Sequence, residues 1–93
     1  EEQLFVASGF TPDNDGINDK VYARLYGLEK LNHFKVYDRW GKLLFVTDDP
    51  DTGWDGTDLD GEKLSGGVYV YVAEAVCFYR RVIQKTGNIT LIK

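Results

Sequence analysis

Apolar residues recur on alternate positions in short runs along this chain, and clusters of Gly, Pro, Asn and Asp separate the runs. Such a pattern predicts half-buried strands joined by turns. Leu4 to Ala7 predicts a first strand that ends at Gly9, ahead of a polar loop from Thr11 to Asp19. Val21 to Tyr26 predicts a second, closed by Gly27. From Asn32 to Asp38, Phe34 and Val36 share one face while His33, Lys35 and Tyr37 share the other, the period of two that a strand imposes. Asp38-Arg39-Trp40-Gly41 then turns the chain into Lys42 to Val46 as an antiparallel hairpin, Gly41 supplying the positive φ of a tight turn. Asp48 to Gly53 is an acidic loop, Asp60-Gly61 a hairpin signal, and Ser65-Gly66-Gly67 a change of direction. Val68 to Val72 alternates valines with Tyr69 and Tyr71, and Arg80 to Lys85 returns beside it. Gly87-Asn88 leads into a last strand, Ile89 to Lys93, with Ile89 and Leu91 inward. About seven short strands spaced by turns predict an all-β fold, an immunoglobulin-like antiparallel β-sandwich. Residues 1–93 are expected to form one such domain.

Composition narrows the function classes. Eleven Lys and Arg against 15 Asp and Glu leave a formal charge of −4, so the broad basic surface that phosphate neutralisation requires is missing and no nucleic-acid partner is expected. No apolar run approaches the roughly 18 residues that span a bilayer, so no membrane insertion is expected and the domain should be monomeric in isolation. Glu1-Glu2-Gln3 does not read as a signal peptide, and an exported parent is expected to carry its signal upstream. Cys77 is the one cysteine, which rules out an internal disulfide and reads as a small packed hydrophobe.

Several segments carry a more specific pattern. Phe10-Thr11-Pro12-Asp13-Asn14-Asp15-Gly16-Ile17-Asn18-Asp19, Val36-Tyr37-Asp38-Arg39-Trp40-Gly41, Trp54-Asp55-Gly56, Leu64-Ser65-Gly66-Gly67-Val68-Tyr69-Val70-Tyr71 and Gly87-Asn88-Ile89-Thr90-Leu91-Ile92-Lys93 follow one another along the chain. In that order they resemble the signatures of the gliding motility-associated C-terminal domain, the type B sorting domain of the type IX secretion system. The resemblance implies an address without chemistry, borne at the C-terminus of exported proteins of Bacteroidetes-type bacteria. It implies passage through the periplasm to the cell surface or beyond, with outer-membrane type IX translocon components and barrel-shaped shuttle proteins as partners. The chain departs from the signatures at Asp13 and Asn14. It departs again at Cys77-Phe78-Tyr79-Arg80-Arg81, where members commonly have a polar Asn-Gly-type turn.

Candidate chemistry is sparse. Asp13, Asp15 and Asp19 alternate around Gly16 like half of a calcium loop, with the Ile17 carbonyl at the seventh position. Tyr22 stands where a bidentate Glu closes an EF-hand, so that motif is ruled out. Asx-turns account for these side chains, and a structural Ca²⁺ completed by carboxylates from elsewhere is the alternative. Trp54 is expected to plug one end of the sandwich, with Asp55 capping the turn and Gly56 at a positive φ. Trp40 is divided between packing and an exposed recognition contact. His33 lies on a polar face with no nucleophile placed beside it, and no enzyme activity is expected. The rival to a sorting signal is a terminal adhesion or carbohydrate-binding module, since sandwiches with acidic loops and exposed aromatics also serve that purpose.

Overall fold

A computed structural model describes residues 3–12 and 19–92. Among them there is no helix, and seven strands form: β1 (Gln3–Val6), β2 (Gly9–Phe10), β3 (Ala23–Tyr26), β4 (Leu28–Tyr37), β5 (Leu43–Thr47), β6 (Gly67–Cys77) and β7 (Val82–Leu91). β1 and β3 pair as a small sheet, and β2-β7-β6-β4-β5 form a five-stranded one. The first expected strand, Leu4 to Ala7, corresponds to β1, while Gly9 and Phe10, beyond its expected end, form a second short strand in the other sheet. After β1 the chain crosses at Ala7 and Ser8 and continues in the same direction, which lays β2 parallel to β7, the one departure from antiparallel pairing. Thr90 N donates to Ser8 O (2.8 Å) and Ile92 N to Phe10 O (3.0 Å), which fastens the crossover to the last strand.

Alternation along β6 is strict. Tyr69, Tyr71, Ala73, Ala75 and Cys77 point into the core, and Val68 and Val70 face out. On β4 the buried residues are Leu28, Leu31, Phe34 and Val36, a spacing of three, three and two. Register shifts between Leu28 and Lys30 and between Leu31 and His33 explain it, because each extra residue in one strand of a pair resets which face follows. The strand thus begins four residues before the expected Asn32.

Two other expected boundaries move. Val21 is not in the β3 ladder; it exchanges two backbone hydrogen bonds with Trp54 (2.9 and 2.8 Å). Gly87-Asn88 does not interrupt the chain, and β7 runs through both. A Cβ on Gly87 would lie 2.9 Å from Tyr71 Cε2 and 3.0 Å from its hydroxyl, so glycine here makes room for a buried cross-strand ring, a known reason for glycine within a strand.

Three hairpin loops share one geometry. In Asp38–Lys42, Asp58–Glu62 and Cys77–Arg81 the first residue's N–H donates to the fifth's carbonyl, and the fourth's N–H to the first's carbonyl. The fourth residue has positive φ: Gly41 at 87°, Gly61 at 85° and Arg80 at 66°. In the first two loops the leading Asp also accepts two backbone N–H groups through Oδ1. The third loop has neither the carboxylate nor the glycine.

Gly87→Val should force the Tyr71 ring aside and cost about 1–3 kcal/mol, the usual range for overpacking. Urea denaturation checks it, and an unchanged midpoint would show that the ring has room to move.

Candidate functional site

Trp54 organises one end of the sandwich. Its side chain is fully buried, with the Phe10 ring 5.2 Å away and the Tyr69 ring 5.4 Å away, centroid to centroid. Both tilted arrangements suit the quadrupoles of the rings. An indole buried this deeply needs an acceptor for its N–H, and Nε1 donates to Thr57 O at 2.8 Å. Asp55 Oδ1 accepts from the Thr57 hydroxyl (2.6 Å) and N–H (3.2 Å), which bends the chain so that the Thr57 carbonyl meets the indole. Between them Gly56 takes a φ of +88°. A Cβ there would stand 3.0 Å from Leu91 Cδ1 and 3.4 Å from Pro12 Cγ; the backbone has to come this close to bring three distant segments together. Tyr69 completes the group, donating its hydroxyl to Ser65 O at 2.6 Å.

Above this packing opens a cleft of about 610 Å³. Thr11, Pro12 and Asp19 line it from the first signature, Asp55 and Gly56 from the third with Thr57 just after it, Leu64 from the fourth, and Leu91 and Ile92 from the last. Lys20 and Lys63 add two cations. Four signatures, from the two ends and the middle of the chain, therefore border one concavity. Sequence reading singled out neither lysine; Lys63 joins the site because it pairs with Thr57 across the Asp58–Glu62 loop, an indirect signal at most.

Arg39 and Trp40 lie elsewhere on the same end of the large sheet, since Tyr37 pairs with Val70 near the start of β6. Trp40 is 84% exposed, with the Arg39 guanidinium carbon 6.0 Å from its ring centroid. Gly67, at φ +154°, has no atom within 4 Å of a Cβ position. His33 pairs with Glu74 in the β4–β6 ladder, and Cys77 is buried at the far end of β6. Of the calcium expectation, Asp13, Asp15, Gly16, Ile17 and Asn18 lie outside the described residues; Asp19 is half-buried at the cleft. Among the described residues no group of three His, Cys, Asp or Glu side chains could hold a metal, and no helix is long and apolar enough to cross a membrane.

The two sheets, the crossover from β1 to β2 and the order of the large sheet define an immunoglobulin-like β-sandwich. CopC from Methylosinus trichosporium OB3b has a similar fold, with a TM-score of 0.56 over 96% of this chain and 93% of that one. At 16% identity the likeness is one of fold alone. No curated protein matches the chain. Residues 4–91 match the family model of the CHU_C type IX secretion signal domain, and the chain belongs to that family. The family is a secretion signal and not a catalytic one, and its members are exported through the periplasm to the cell surface or the extracellular space.

Trp54→Ala should cost about 3–5 kcal/mol, as truncation of large buried aromatics does. Guanidinium denaturation measures it, and a native-like midpoint would make the indole dispensable to the fold.

Proposed function

We propose that this chain is a non-catalytic sorting signal that the outer-membrane type IX translocon and barrel-shaped shuttle proteins read as a folded surface, at the end where the cleft opens. The observation that carries the proposal is the convergence of four separate signatures on that cleft. Local turn chemistry would account for each motif alone, but not for their shared border on one concavity. Because the cleft's walls come from both ends of the chain, it exists only when β7 is paired with β6 and β2. Reading such a surface therefore also reads whether the domain has folded.

A reporter carrying residues 1–93 at its C-terminus should reach the surface of a bacterium with the type IX system. Removing residues 87–93 should strand it in the periplasm, since β2 and the first half of β6 lose their ladder partners and the core loses Ile89 and Leu91. Ile92→Asp provides the sharper arm. Ile92 is half exposed at the cleft, so the charge should leave the melting temperature nearly unchanged while surface display falls several-fold. Display of the truncated fusion at the intact level would contradict the proposal.

Exposed Trp40 beside Arg39 favours a second reading, a glycan-binding adhesion module. It takes the first one's place if neither fusion leaves the periplasm in a host exporting its own clients and the purified domain retains glycans. A structural Ca²⁺ on the loop of Asp13, Asp15 and Asp19 is compatible with either reading and would stabilise the fold by mass action. Calorimetry should then show a higher melting temperature in millimolar Ca²⁺ than in EDTA, and identical values would leave the loop closed by hydrogen bonds alone.

A further inference from the structure

The end of the large sheet opposite the cleft has its own chemistry. There β6 turns into β7 through Cys77–Arg81, whose tip exposes Phe78 (66%) and Tyr79 (90%). Val82, at 55% exposed, follows on β7, and Tyr26, at 52%, sits two residues before Leu28, the partner of Cys77. Arg80 and Arg81 are exposed at the tip, and exposed Lys30 pairs with Val76 just behind it. Glu29 lies beside Lys30, and Asp51 shares a shallow pocket with Tyr26 and Arg24. An apolar point backed by cations thus protrudes from a chain whose net charge is −4.

Backbone strain marks the same loop. Its two sibling loops place glycine at the positive-φ position, where a side chain is disfavoured, and brace the turn with an Asp carboxylate. Here Arg80 takes φ +66° without that brace. A glycine would fold the loop more easily, so an arginine in this strained position points to a use for the guanidinium at the tip.

We propose that this tip docks the domain shallowly onto a membrane surface rich in anionic phosphate headgroups. Tyr79 sits at headgroup depth, where a ring with a polar edge is favoured, Phe78 buries its apolar ring beside it, and Arg80 faces the lipid phosphates. A shallow lipid contact draws on a few rings and charges together, and the tip places exposed rings beside exposed cations in that way. The net negative charge of the whole chain turns its other faces away from the anionic surface. A domain held in this way leaves its cleft end directed away from the lipid, so both surfaces can be engaged at once.

Flotation of the full chain with phosphatidylglycerol–phosphatidylcholine vesicles, against phosphatidylcholine alone, tests the proposal independently of export. Binding to the anionic vesicles should be about tenfold stronger and weaken with salt. Phe78→Ser with Tyr79→Ser should lose most of it while melting like the parent. Arg80→Gly should raise the melting temperature by about 4 °C as the strain is relieved, yet bind anionic vesicles several-fold more weakly. Tyr79→Trp should add emission that brominated lipid quenches. No binding of the parent to anionic vesicles overturns the proposal, even where the tip captures a protein. Undiminished binding by the serine pair or by Arg80→Gly overturns it as well.

Discussion

A small sheet of two short strands cannot by itself cover the inner face of a five-stranded one. What closes the sandwich is the packing of Phe10, Trp54 and Tyr69, with Trp54 tied by backbone hydrogen bonds to Val21, just ahead of β3. The indole occupies volume that another strand would otherwise supply, and its N–H is satisfied by the turn that follows it. The irregular stretch from Trp54 to Leu64 is anchored by this packing and by bonds of its own. Thr57, Lys63 and Leu64 keep their positions through the Thr57–Lys63 bridge and the bond from Leu64 N to Gly56 O. Take the ring away and a cavity opens where two sheets and a loop meet.

The cleft follows from the same constraint. Its floor is Gly56, whose backbone can approach Leu91 and Pro12 only because no side chain intervenes, and its walls are segments that the aromatic packing brings together. The proposed recognition surface and the stability of the fold thus depend on the same packing at this end. At the opposite end they separate: the Cys77–Arg81 loop is exposed and strained, and the core hardly depends on the identity of its tip residues. The two ends of the large sheet therefore differ in kind: one is packed around Trp54, the other carries an exposed turn held at positive φ by Arg80.

Some of this was legible in the residue pattern. Phe34 and Val36, the alternating tyrosines of β6 and the Asp-x-x-Gly turn at Asp38–Gly41 are local signals, and local signals survive folding. The start of β4 was hidden because two register shifts space Leu28, Leu31 and Phe34 by three, which looks nothing like a strand. Gly87 read as a turn because its reason, the Tyr71 ring, lies on another strand. The parallel β2–β7 pair and the places of Lys20 and Lys63 at the cleft depend on contacts between segments from opposite ends of the chain, which no window of sequence contains. The family signatures were visible as motifs; that four of them border one concavity is a property of the fold.

The claim that the cleft end is what the secretion machinery reads can be tested by contact. A photo-crosslinking residue placed at Lys63, at the cleft, or at Gln84, exposed on β7, in a fusion caught during export should distinguish the two surfaces. The account predicts adducts with outer-membrane secretion components from position 63 and few or none from position 84. Equal adducts from both, or adducts from position 84 alone, would contradict it.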